Sequence, residues 1–493
     1  MLWGLFMRHG AKHLIGAAVL ALALPATAWA QDGEIVTKQY DDGSFYEGTF
    51  KDGRQHGTGT YTLPNGYSYS GEWVDGEIRG TGTARYPNGS VYEGLFVAGK
   101  PEGRGKITYA DGGSYEGDWT GGKITGQGRA TYPDGSAYEG AFVDGKHHGQ
   151  GVLTGANGYV YDGTWVEGAK QGKGRISYGD GTKYEGDLVA GNREGQGTLT
   201  MPDGLTYIGQ WRAGQINGKG KLTQPNGDVY EGEFVEGLRD GQGVMLHASG
   251  DRYEGMFSAD KRQGQGIFTG ADGSVFDGNW VAGKLEGTGK IRFPDGSLYE
   301  GAVKADQPEG IGKITYTDGS TYEGQWSAGV IEGEGTATYA SGAVYSGAFK
   351  AAMPNGRGMM TLTDGYRYDG DWVNGQRQGK GTATYADGTV YTGDFVNGLR
   401  EGMGEITMPD GFRYVGQWSA GEISGQGLAT YPNGDSYEGA FVAGRREGQG
   451  KLTYVSGQVA EGTWKSGILT APSESPAQDA APADAAPAVD PQN

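Results

Sequence analysis

Tyr69-Ser70-Gly71-Glu72-Trp73-Val74-Asp75-Gly76-Glu77-Ile78-Arg79-Gly80-Thr81-Gly82 decides the fold. An aromatic residue, a glycine and a second aromatic residue alternate, and glycines then punctuate the chain at close intervals. The same order returns every 23 residues. Its lead position falls at Tyr46, Tyr69, Tyr92, Tyr115, Tyr138 and Tyr161, continues at that interval, takes Phe276 once and ends at the degenerate Ala460. That gives 19 units with no insertion or deletion. A unit this short cannot bury a core of its own, so neighbours must stack and share one.

Within Tyr92–Ser114 the residues Tyr92, Gly94 and Phe96 alternate onto one face. A turn is expected from Gly99 to Gly103, then a second strand over Gly105-Lys106-Ile107-Thr108-Tyr109. Period-two alternation between glycine turns signals a hairpin. Fifteen of the 18 turns between units carry Asn-Gly or Asp-Gly, and Ser249, Ser341 and Ser456 mark the exceptions. These dipeptides are expected to supply the positive-φ residues of tight hairpins. The 99 glycines are otherwise costly in strands, so they imply positive φ or room for a neighbouring ring. The expected fold class is all-β: an elongated single-layer antiparallel sheet of consecutive 23-residue hairpins. At about 10 Å per unit it would extend on the order of 180 Å.

The motif Tyr-x-Gly-x-(Trp/Phe)-x-x-Gly-x-x-x-Gly-x-Gly resembles the MORN (membrane occupation and recognition nexus) repeat, here of a bacterial exported type. The resemblance covers nearly all of residues 46–467. It implies an elongated sheet that acts as a scaffold and often self-associates. Some members join it to lipid kinase or methyltransferase domains, for which this chain has no room, and the family is often linked to membranes. Choline- and glucan-binding repeats are also short aromatic hairpins, but their paired Trp-Tyr dipeptides are missing.

Residues 1–30 read as a secretory signal, with Arg8 and Lys12 before an apolar stretch from Leu14 to Leu24. Ala28-Trp29-Ala30 places cleavage between Ala30 and Gln31. The chain has no cysteine, so no disulfide framework is available. Residues 31–45 lead into the array and are expected to cap it. Residues 468–493, rich in Pro and Ala with Glu474, Asp479, Asp484 and Asp490, read as a disordered acidic tail. Export to the periplasm or cell exterior, possibly with envelope association, is the expected localisation. Losing Arg8 and Lys12 takes the formal charge from −19 to −21. Nucleic acid is therefore not an expected partner.

The second aromatic position alternates between Phe and Trp, with Leu188 and Val303 as substitutes, and slips at Phe257. Trp units often carry Ile in the following loop, as at Ile78 and Ile216, and the others often Arg-Glu, as at Arg193-Glu194 and Arg400-Glu401. Duplication of a 46-residue pair explains this history; interlocking of large and small rings is the physical alternative, with the slip then marking a bend or junction over 234–280.

No catalytic constellation emerges, and no enzyme, metal or cofactor is expected. His56, His147 and His148 read as solvated loop residues. Ser258-Ala-Asp-Lys261 falls on a hairpin turn. A recurring carboxylate after the lead position, as at Glu116, shares the polar face with Lys106, Arg175, Lys290 and Lys313, which suggests cross-strand ion pairs. The opposite face carries the candidate binding and packing residues: Tyr69, Trp73, Tyr115, Trp119, Tyr161, Trp165, Tyr207, Trp211, Trp280, Tyr322, Trp326, Tyr368, Trp372, Tyr414 and Trp418. With no second layer to cover it, part of this aromatic stripe is expected to remain exposed. The expected function is a non-enzymatic exported scaffold that holds protein partners or a second copy through that face. Binding of an envelope glycan or lipid is the alternative.

Overall fold

The structure is a computed structural model that describes residues 33–472. The expected leader, its Ala30–Gln31 cleavage site and most of the acidic tail lie outside the described residues. The chain divides into two compact units, up to Gly179 and from Asp180 onward. This division falls well before the Phe257 slip, which sits inside the second unit and does not mark a junction. The first unit holds 13 strands, from Val36–Gln39 to Ala169–Ser177, and the second 26, from Lys183–Val189 to Ile468–Pro472. All pairings are antiparallel between strands adjacent in sequence, the pattern of consecutive hairpins.

Each repeat is a seven-residue strand followed by a nine-residue strand, such as Ser68–Val74 and Glu77–Arg85. The expected five-residue turn within the repeat is thus too long. Lys100–Thr108 is one strand, joined to Val91–Val97 by Ala98 and Gly99 alone, and Tyr109 lies beyond its end. In the same turn of the preceding repeat, Asp75 has φ 50° and Gly76 has φ 89°. Positive φ at both central residues is the type I′ turn, whose twist matches the flanking strands. The Gly76 amide also donates to Gln55 O of the preceding repeat at 2.9 Å, so the turn locks register between repeats.

The Asn-Gly and Asp-Gly turns supply the expected positive-φ residue through the glycine alone. At Tyr86-Pro87-Asn88-Gly89-Ser90, only Gly89 has positive φ, at 85°. The Gly89 amide donates to Tyr86 O and the Tyr86 amide to Ser90 O. Asn88 serves through its side chain, whose Oδ1 accepts the Ser90 amide at 3.0 Å. These residues are selected as turn acceptors, not for left-handed backbone.

Residues 36–39 pair with the first repeat strand. At the other end the tail begins later than expected, because Ile468–Pro472 is a strand paired with Val459–Lys465. Ser466 and Gly467 both have positive φ and close this last hairpin as in the other repeats.

Candidate functional site

The aromatic face is built around one irregularity per hairpin. Tyr69 pairs with Ala84 and Gly71 with Gly82, but the next paired residues are Trp73 and Ile78. Two extra residues bulge from the second strand, and Glu72 is left opposite no single partner. The Tyr69 hydroxyl donates to Glu72 O at 3.1 Å. Its ring lies flat across Gly71 and Gly82, where a Cβ on Gly82 would sit 2.4 Å from ring atoms. All 17 lead tyrosines donate to the carbonyl three residues on, at 2.5–3.2 Å. The Tyr-x-Gly pattern is thus a hydroxyl that satisfies a bulge carbonyl and a ring that needs two bare Cα atoms. At eight of these bulges a carboxylate or amide side chain accepts from the bulge amide; Asp118, for example, takes Gln127 N at 2.8 Å.

Phe276 tests this account within the same molecule. It has no hydroxyl, and it does not cover its glycines. Its ring packs against Phe268 at 5.8 Å, only half-buried, while Leu285 fills the space over Gly278 and Gly289.

Each tryptophan reaches back to the preceding repeat. Trp73 Nε1 donates to Gly59 O at 3.2 Å, and its ring meets Tyr46 edge-on at 5.3 Å. All nine tryptophans of the described residues make the corresponding bond. A third side chain, nine residues after the lead tyrosine, covers the rings. Ile78 opposes Trp73 of its own hairpin. Arg400 lies over Tyr391 at 5.7 Å and over Trp418 of the next repeat at 4.6 Å, and Arg446 over Tyr437 and Trp464 at 5.6 and 4.4 Å. In four repeats a planar guanidinium, from Arg193, Arg262, Arg400 or Arg446, faces the large indole of the next repeat, whereas Arg239 and Arg377 lie over Phe257 and Phe395, so the Phe/Trp and Arg/Ile alternations coincide only in part.

This tiling overturns the exposed-stripe expectation. Tyr69, Trp73, Tyr115, Trp119, Tyr161, Trp165, Tyr207, Trp211, Trp280, Tyr322, Trp326, Tyr368, Trp372, Tyr414 and Trp418 are all buried, none above 7% exposure. They form the core of a single-layer sheet and present no free docking surface. Burial pushes the phenols of Tyr69, Tyr115, Tyr161, Tyr207 and Tyr322 up to about 12.

The expected solvated histidines are also placed elsewhere, because the two-residue turns leave no loop for them. His56, His147 and His148 lie on strands. His147 takes the ring-covering position: it stacks on Tyr138 at 3.6 Å, meets Trp165 edge-on at 4.8 Å, and hydrogen-bonds Tyr132 OH at 2.7 Å through Nε2. Burial holds its pKa below the usual histidine range.

The polar face carries the expected ion pairs, including Lys290–Glu300 at 2.5 Å and Lys313–Glu323 at 3.8 Å. Beside them runs a feature missed in the sequence. The fifth residue after each lead position points to solvent, and it is valine in Val74, Val97, Val143 and Val166 of the first unit, each about 40% exposed. The second unit repeats it at Val189, Val235, Val281, Val373, Val396 and Val442. The signal was available, since strict alternation puts this residue opposite the aromatic face.

With this geometry in place, residues 46–66, 69–91, 92–114 and onward to 437–459 match the MORN repeat in 18 consecutive segments. The chain belongs to the MORN-repeat family. The match stops at residue 459, before the degenerate Ala460 unit. The MORN array is a repeat scaffold. No curated protein matches the chain. Among solved structures, the SAS-4 (dCPAP) TCP domain of Drosophila melanogaster, in complex with a proline-rich motif of Ana2 (dSTIL), is 15% identical, with 40% of this chain covering 89% of that one at a TM-score of 0.21. The TCP10 domain of Danio rerio CPAP, in complex with a peptide of STIL, is 16% identical, with coverage of 54% and 93% and a TM-score of 0.16. Virginiamycin B lyase from Staphylococcus aureus is 10% identical, with coverage of 59% and 92% and a TM-score of 0.10. At such scores these likenesses decide nothing about this MORN protein.

Proposed function

We propose that this MORN-repeat protein is a non-enzymatic, exported scaffold that holds protein partners, and that contact is made on the polar face and not through the aromatic core. One observation carries the reading. Solvent-facing valines recur in ten of the 19 repeats, on the face that also carries the cross-strand ion pairs, so the surface offers many similar points. A macromolecule that touches several repeats gains from each, whereas a small substrate meets only one. Export rests on the leader-like residues 1–30. The acidic balance weighs against nucleic acid and anionic lipid.

The test compares residues 31–493 with the variant Val143→Lys/Val166→Lys in pull-downs from native envelope fractions, with and without prior protease treatment. Capture that is lost after protease and weakened in the variant fits the reading. Capture that survives protease, or that ignores both substitutions, counts against it. A second copy as the bound protein would appear as concentration-dependent mass in light scattering.

A further inference from the structure

The buried tyrosines and tryptophans are not the whole aromatic inventory of their face. A second row stands at the turns between repeats, on the residue that precedes each Pro/Ala-Asn/Asp-Gly sequence. In the first unit the same turn position reads Tyr40, Leu63, Tyr86, Tyr109, Tyr132, Gly155 and Tyr178, so three consecutive rings, Tyr86, Tyr109 and Tyr132, stand between two positions without one. Tyr109 is 38% exposed and Tyr132 36% exposed, against 0–1% for the lead tyrosines Tyr92, Tyr115 and Tyr138 beside them. Tyr86 is braced by Tyr67 at 5.8 Å, and Tyr132 is fixed by its hydroxyl on His147. The central ring is anchored through the backbone, where the Tyr109 amide donates to Gly113 O and its carbonyl accepts from Gly112.

We propose that Tyr86, Tyr109 and Tyr132 form a stacking platform for a neutral, extended β-1,4-linked polysaccharide, one ring per disaccharide. Two strands per repeat advance the row by about 10 Å. That step matches the disaccharide repeat of a β-1,4-linked chain, which is a flat ribbon whose sugar faces stack on aromatic rings. An α-1,4-linked chain coils and cannot meet three rings set in a row. Hydrogen-bond acceptors accompany each ring two residues on. Asn88, Asp111 and Asp134 are exposed, and each uses Oδ1 for its own turn, on Ser90 N, Gly113 N and Ser136 N at 3.0, 3.0 and 2.9 Å. The remaining carboxylate oxygens of Asp111 and Asp134 suit sugar hydroxyls. The net charge of −19 selects against anionic glycans. Three rings correspond to about six sugars at one ring per disaccharide. This inference is independent of the protein-scaffold reading, which concerns the opposite face.

The test is calorimetric titration of the purified protein with cellohexaose, chitohexaose and, as the coiled control, maltohexaose. A β-1,4 hexaose is expected to bind, with Tyr109→Ala weakening it about tenfold, the loss of one stacked ring. Tyr109→Phe keeps the ring and is expected to retain affinity, which separates stacking from misfolding, as does an unchanged near-ultraviolet circular dichroism spectrum. Thr108→Ala, exposed on the other face, is expected to leave binding unaltered. Absence of binding by both β-1,4 hexaoses, equal binding of maltohexaose, or unchanged affinity in Tyr109→Ala would overturn the proposal.

Discussion

The ring of Tyr69 lies across Gly82 so closely that a Cβ on the glycine would come within 2.4 Å of it. Gly82→Ala therefore forces the ring off its seat and breaks the hydroxyl bond to Glu72 O. Overpacking of this kind costs about 1–3 kcal/mol. Because repeat arrays lose stability locally, the loss is expected as faster proteolysis and hydrogen exchange within residues 69–96, with distant repeats unaffected. Tyr69→Phe isolates the hydroxyl and is expected to cost about 1–3 kcal/mol, the penalty of a carbonyl left without a donor.

Phe276 and Leu285 make the converse experiment possible. Phe276→Tyr alone gains nothing, because Leu285 already occupies the space over Gly278 and Gly289. With Leu285→Ala added, the tyrosine can close over the glycines and reach Asn279 O. A double-mutant cycle by chemical denaturation should show favourable coupling between the two substitutions, of about 0.5–3 kcal/mol. Additive effects would mean that the two side chains do not compete for one place.

Arg446 is 3% exposed between Tyr437 and Trp464 and donates through Nη2 to Gly467 O at 2.9 Å. Arg446→Lys keeps the charge but loses the planar stack, and the ammonium must be buried with fewer matched partners. A loss of about 1–3 kcal/mol is expected. The C-terminal hairpin is expected to fray first, visible as a shift in Trp464 fluorescence before global unfolding.

The type I′ turns hold a reserve of stability. Ala351 and Ala352 have φ 49° and 62°, a turn with no glycine at either central position. Ala352→Gly relieves left-handed strain of about 1–2 kcal/mol, less the greater chain entropy of glycine, about 0.5–1 kcal/mol. A net gain of up to about 1.5 kcal/mol is expected, seen as a raised denaturant midpoint at constant m-value. Ala98→Gly is expected to behave alike.

Much of this architecture was legible because one pattern recurs. The period gave the hairpin order, alternation gave the two faces, and the glycine count pointed to rings seated on backbone. What stayed hidden was local. Nothing in a period-two reading announces that the second strand bulges by two residues after Trp73, so neither the role of the tyrosine hydroxyl nor the short turn at Asp75-Gly76 could be derived. The burial of the aromatic stripe was missed for a related reason. A single layer has no opposing sheet, but Ile78, His147 and Arg400, placed by the bulge, supply a cover from the same layer. Ring exposure then survives mainly at the turns between repeats, as in Tyr109, Tyr132 and Tyr339.

The buried phenols make the fold sensitive to alkali. Tyr69, Tyr115 and Tyr207 have pKa values pushed up from 10.0 to about 12, with burial as the main cause. Their folded pKa lies above the unfolded one, so the neutral form is favoured by folding. This contribution is fully present below pH 10 and is lost as the pH rises through about 12. Tyrosinate absorbance should thus split into an earlier component from turn residues such as Tyr109, whose pKa burial also raises but less, and a late, cooperative one that coincides with loss of the β-sheet circular dichroism signal. His147 works in the opposite direction: burial lowers its pKa, so its contribution is complete above the unfolded value and declines as the pH falls through the folded one. Around it lie Tyr132, Tyr138, Phe142 and Trp165, with no carboxylate among its ring partners. His147→Arg places a permanent cation where other repeats already hold one, and it should abolish the acid-dependent part of hydrogen exchange in residues 138–165 while leaving the alkaline transition in place.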